Sequence, residues 1–253
     1  MDVLAPIVLS FLAGSATGIG GLLVIFLGRV DEWLVGFLMG FAGGVMLVVS
    51  FVNLYAEALG VVSLLEVAVA FSIGTLFMMA VDLTLPHIEF GLWEDGVSDR
   101  QLFNSGIIIA VGMSLHNLPE GMAVSAGFTH LPELGALVAV MICLHNIPEG
   151  IATVTPLIHS GVKRGRALGL ATLSGLVEPL GALIGYTLIQ GLGGGDFVGY
   201  GLGFAAGVMT YVTVDELIPV AHEYCSVNHK HIVSTGVVIG IMFAQLMSLL
   251  IPI

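Results

Sequence analysis

Residues 133–158, ELGALVAVMICLHNIPEGIATVTPLI, contain no Lys or Arg and only Glu133 and Glu149 as acids. A helix crosses the bilayer core with roughly 20 apolar residues, so this stretch predicts a membrane span with a carboxylate inside it. The rest of the chain reads the same way. Of its 253 residues 57% are hydrophobic and 9% charged, with a mean hydropathy of +1.06, against about 25% charge in a soluble domain. Dividing the apolar runs at charges and Gly/Pro clusters predicts an all-α membrane protein with eight transmembrane helices, at about 3–27, 33–58, 65–86, 103–127, 133–158, 166–190, 197–222 and 232–252. The expected organisation is a single transmembrane domain over 1–253. No basic region precedes the first segment, where Asp2 is the only charge, so that segment is expected to be a retained span.

Six basic against 18 acidic residues give a net charge of −12. That balance excludes nucleic acid and favours a cationic partner. The two cysteines, Cys143 and Cys225, frame no disulfide scaffold. Arg29, Arg100, Lys163, Arg164, Arg166 and Lys230 all fall in alternate connections. The positive-inside rule makes those connections cytoplasmic and places both termini outside. Gly40-Phe-Ala-Gly-Gly-Val-Met46 and Gly203-Phe-Ala-Ala-Gly-Val-Met209 nearly match, yet lie in spans that cross in opposite directions. Leu115-His-Asn-Leu-Pro-Glu-Gly121 and Leu144-His-Asn-Ile-Pro-Glu-Gly150 form a second such pair. The expected architecture is a 3+2+3 inverted-repeat bundle, with the central pair of helices at the repeat interface where transporters commonly bind substrate.

Glycine supplies 35 residues and recurs as Gly36-x3-Gly40, Gly181-x3-Gly185, Gly203-x3-Gly207 and Gly236-x3-Gly240. This spacing lets helices approach closely in lipid and carries no chemistry. The carboxylates say more. Glu57, Asp82, Glu120, Glu149, Glu178, Asp215 and Glu216 lie within apolar segments whose interiors hold no Lys or Arg to pair them. A charge there costs on the order of 2.5–3.5 kcal/mol, so these groups are either protonated or line a cavity that holds a cation. An interfacial position accounts for Glu57 and for the Asp215–Glu216 pair, but not for Glu120 and Glu149.

Within each repeated heptapeptide His and Glu stand four apart and Asn and Glu three apart, so a helix carries all three on one face. Pro119 and Pro148 remove a backbone donor, and each helix is expected to open at these side chains. Imidazole nitrogen, amide oxygen and carboxylate oxygen suit Zn, Fe(II), Mn or Co, whereas the lack of thiolates argues against Cu(I).

These two runs, with Ser174-Gly-Leu-Val-Glu-Pro-Leu-Gly181, resemble the signature of the ZIP (Zrt/Irt-like) divalent metal transporter family, in its ZupT-like prokaryotic branch. The resemblance covers the whole chain. It implies uptake of divalent metal (Zn, with Fe(II), Mn, Co or Cd) into the cytoplasm across the cell inner membrane, through a binuclear site between helices four and five. The metal is bound as substrate, with no prosthetic group. One ion would be held by His116, Glu120, His145 and Glu149, and the second by Asn117, Asn146 and Glu178 with Glu120 and Glu149 bridging. Asn53, Asp82, His87, Asp215, Glu216 and His222 resemble positions along the family's transport route. The partners implied are divalent metal ions and the lipid bilayer, with a homodimer among the oligomeric states left open.

Pro179 is expected to bias Glu178 out of helical geometry and aim it at the central pair. The connection from Glu89 to Gln101 is short and holds no His, unlike the long His-rich loop of many eukaryotic members. Its nearest substitute is His222-x2-Cys225-x3-His229-x-His231, whose spacing is zinc-like. Two other classes compete with a carrier. A passive metal channel would use the same ligands in a pore, and an intramembrane zinc hydrolase would carry His-Glu-x-x-His, which the sequence lacks.

Overall fold

In lipid the backbone must satisfy its own hydrogen bonds, which leaves helices for segments as apolar and non-alternating as these. The computed structural model describes residues 3–28, 30–84, 100–159, 161–192, 195–225 and 230–250, and every element among them is helical. We number the helices α1 (Leu4–Leu27), α2 (Glu32–Val61), α3 (Leu64–Thr84), α4 (Arg100–His130), α5 (Pro132–His159), α6 (Arg164–Gly191), α7 (Asp196–Tyr224) and α8 (Lys230–Leu250). Seven of them are long and apolar enough to cross a membrane. The remaining one, α4, carries His116, Asn117 and Glu120 midway along it. The protein is a multi-pass membrane protein.

Three helices depart from regular geometry. In α2 the stretch Val49–Tyr55 widens into a π-helix, and in α7 the stretch Thr213–Leu217 does the same. Each π stretch begins soon after one of the paired glycine-rich heptapeptides, and such bulges are frequent at functional sites. In α6 the helix breaks at Leu176 and Val177 and resumes at Glu178. The break therefore precedes Glu178. Pro179 sits in the first turn of the new segment, where a missing N–H costs nothing, so the expectation that it bends Glu178 out of the helix is corrected. Pro119 and Pro148 likewise do not open their helices. Both α4 and α5 run on through them, as membrane helices can when neighbouring helices satisfy the freed carbonyls.

Packing sorts the helices into two units. Helices α1, α4, α5 and α6 pack on one another, as do α2, α3, α7 and α8, and the two sets meet mainly along α4–α7 and α2–α5. Leu76 and Leu83 of α3 and Leu246 and Leu249 of α8 are exposed, as lipid-facing residues should be, while α5 is enclosed along most of its length. Glycines hold each unit together internally. A methyl group added at Gly121 would run into the Glu178 carbonyl, one at Gly150 into the Thr17 carbonyl, and one at Gly181 into the Leu118 carbonyl. In the second unit Gly236 and Gly240 meet the carbonyls of Phe37 and Phe41, and Gly207 meets that of Phe71. Between the units the approach is looser, since a Cβ at Gly201 of α7 would stand 3.5 Å from Ala126 Cβ of α4, ordinary van der Waals contact.

Replacing Gly150 by Ala forces α5 away from α1, and overpacking of this kind costs about 1–3 kcal/mol. The expected result is a lowered midpoint of thermal unfolding in detergent. An unchanged midpoint would mean that α1 and α5 separate freely.

Candidate metal centre

The centre is built by α4, α5 and the second half of α6, with α1 behind them. The i, i+4 spacing puts His116 and Glu120 on one face of α4 and His145 and Glu149 on one face of α5. The two helices then cross-pair. His116 Nε2 stands 3.2 Å from Glu149 Oε1, and His145 Nε2 stands 3.1 Å from Glu120 Oε1. His145 Nε2 is also 4.0 Å from Glu149 Oε1. One ligand atom each from His116, Glu120 and Glu149 fits within a 4.8 Å span, a size suited to ligands about 2.0–2.2 Å from a common ion.

The asparagines are anchored through their nitrogens. Asn117 Nδ2 donates to the Ser174 carbonyl at 2.9 Å, at the edge of the break in α6, and Asn146 Nδ2 donates to the Ala13 carbonyl of α1 at 3.0 Å and to Glu178. Fixing each amide by its NH2 group leaves its oxygen available. The break in α6 brings Glu178 to Asn146, which joins the third helix to the central pair.

His116, Asn117, Glu120, His145, Asn146, Glu149 and Glu178 are each 1% exposed or less. Buried polar atoms are ordinarily satisfied, yet Oδ1 of both asparagines, Oε2 of Glu120, Glu149 and Glu178, and Nδ1 of both histidines have no hydrogen-bond partner. A concentration of unpaired acceptors in a site walled off from water is costly. A cation offsets that cost, whereas an apolar neighbour does not.

The expected route residues fall into three groups. Glu216 adjoins the centre, its Oε2 3.5 Å from His116 Nδ1, and is 22% exposed. Asp215 beside it is exposed, and Asp82 is held by the Tyr211 hydroxyl, which donates to its Oδ2 at 3.1 Å. Acidic oxygen thus continues from the buried centre toward the end of the molecule that carries the Lys and Arg residues. Asn53 is buried in the π stretch of α2, with its Nδ2 donating to Ser248 Oγ of α8 at 3.2 Å. His87 lies outside the described residues.

His222 is exposed at the end of α7, but Cys225 turns inward, where its Sγ packs over Gly36. Burial, with Glu32 nearby, pushes its thiol pKa up, the wrong direction for a thiolate ligand. His229 lies outside the described residues. Sequence reading missed Tyr211, although its i, i+4 spacing to Asp215 was a signal. It also missed the carbonyls of Ser174 and Ala13, for which the sequence holds none.

A family pattern described as ZIP zinc transporter matches residues 93–250. The zinc transporter ZupT of Chlorobium luteolum is 38% identical, with 98% of this chain and 98% of that one covered. That of Nitratidesulfovibrio vulgaris is 34% identical over 99% and 98% of the two chains. The zinc transporter ZTP29 of Arabidopsis thaliana is 35% identical over 88% and 87%.

Proposed function

Because this chain belongs to the ZIP zinc transporter family, we propose that it moves zinc and related divalent ions into the cytoplasm through a two-ion centre between α4 and α5. Its function is transport rather than catalysis. The observation that carries the reading is the buried set of seven N- and O-donor side chains, most with an unpaired acceptor atom. In this assignment His116, Glu120, His145 and Glu149 hold one ion, and Asn117, Asn146 and Glu178 hold the other. Glu120 and Glu149 bridge, since each has one oxygen toward a histidine and one left over. Fe(II), Mn, Co and Cd share the ligand preferences of such a site closely enough to compete.

The transport mode in this reading is alternating exposure. The 3+2+3 inverted repeat pairs α1 with α6, α2 with α7, α3 with α8 and α4 with α5, and each unit of the fold is made of whole pairs. Glycine contacts knit each unit as one body, so sliding or rocking between them leaves the ligands intact. The four basic connections lie on the cytoplasmic side of the cell inner membrane with both termini outside, and residues 1–253 act as one transmembrane domain.

Proteoliposome uptake with Zn, Fe(II), Mn and Cd in competition tests the substrate. His116→Ala and His145→Ala are each expected to lower zinc stoichiometry by the ion they share, and to lower affinity for that ion and uptake by at least about tenfold, since losing even an outer-shell partner costs 10–100-fold. Full stoichiometry and uptake in both variants would remove the shared site.

A further inference from the structure

We propose that Glu57 and His130 form a second, weaker divalent-cation site at the end of the molecule opposite the basic residues, where it captures ions before they enter. The proposal rests on the transport reading above for the direction of travel, and on its own geometry for the binding.

His130 is the last residue of α4, and Glu57 lies in the final turns of α2, beyond the π stretch. The two are 73 positions apart and belong to different four-helix units, yet His130 Nε2 stands 3.1 Å from Glu57 Oε2. Two donors bound to one tetrahedral zinc at about 2.0–2.1 Å lie about 3.3 Å apart, so the pair already holds the bite of a metal. It is also accessible, with His130 23% and Glu57 31% exposed, which leaves room for water to complete the coordination. The central ligands, by contrast, are buried. Among the described residues this end of the protein also carries Glu66, Glu133 and Asp196, all exposed, whereas Arg100, Lys163, Arg164, Arg166 and Lys230 lie at or just before helix starts at the other end. An acidic rim raises the local concentration of cations, and an imidazole nitrogen beside a carboxylate selects a borderline metal over Na+ or Ca2+.

The competing account is an ordinary ion pair that ties α2 to α4. Glu57→His separates the two, because two imidazoles keep a zinc site and abolish the ion pair. The experiment measures equilibrium binding of zinc alone to the full chain in nanodiscs, with uptake in proteoliposomes. The wild type is expected to show a tight class and a weaker class of zinc. The weaker class persists in Glu57→His and in His145→Ala, and disappears in Glu57→Gln and His130→Gln. Both Gln variants keep the tight class, which shows that they fold, and raise KM for zinc about tenfold with a much smaller change in maximal rate. Persistence of the weaker class in the Gln variants, or its loss in Glu57→His, overturns the capture site. The central reading fails by a different sign, retention of the full tight class in His145→Ala, whatever the Glu57 variants do.

Discussion

Replacing Glu120 by Gln is expected to cut zinc uptake at least about 100-fold, the upper range for losing a partner of a metal site, while metal-free stability holds or rises. Both parts follow from the position of one side chain. Glu120 Oε1 faces His145 at 3.1 Å, its Oε2 has no partner, and it shares the buried cluster with His116 and Glu149. A bridging carboxylate serves both ions, so its loss disturbs both, whereas His116→Ala mainly disturbs one. Glutamine keeps the size and can still hydrogen-bond to His145. It leaves two carboxyl groups, Glu149 and Glu178, where three crowd one buried site, so like-charge repulsion cannot rise when no ion is present. Zinc should raise the unfolding midpoint of the wild type by mass action and raise that of the variant far less. Normal uptake by the variant would remove the bridge, and a drop in metal-free unfolding midpoint would make Glu120 a structural residue instead.

The parts of this site that could be read in the sequence are those that lie within one helix. His116 with Glu120, and His145 with Glu149, are fixed by the 3.6-residue period, and the long apolar runs fixed that they lie in membrane helices. What the period cannot supply is which helices face each other. The cross-pairing of His116 with Glu149 and of His145 with Glu120 depends on α4 and α5 meeting in antiparallel register. The anchoring of Asn117 to Ser174, 57 positions away, depends on the break in α6. Reasoning from Pro179 put Glu178 itself outside the helix, whereas the break falls just before it, because a proline that starts a segment and one that ends it look alike in sequence. Pro119 and Pro148 misled in the same way, since tertiary packing carried both helices through them. The glycine pairs announced close contact correctly but not their partners. Cys225 stands at zinc-like spacing from His222, and only the packing over Gly36 shows it turned inward. Glu57 read as an interfacial carboxylate, and nothing nearby in sequence points to His130.

The motion between the two units gives the second large effect. Joining Ala126→Cys to Gly201→Cys should stop uptake when the pair is oxidised and restore it when a reductant is added. A Cβ at Gly201 would lie 3.5 Å from that of Ala126, at the short end of the roughly 3.5–4.5 Å that a disulfide spans. Ala126 belongs to α4 and Gly201 to α7, so the bond ties the unit carrying the metal ligands to the unit carrying Glu216, Asp215 and Asp82. It lies away from the ligands themselves, so zinc binding at the centre should survive the bond, and each single variant should transport in both redox states. If the ions instead pass through a static pore lined by the same side chains, the bond forms and uptake continues. Loss of uptake without loss of zinc binding, reversed by reduction, is the signature of a carrier whose two bodies must move past one another to expose a single buried site first to one side and then to the other.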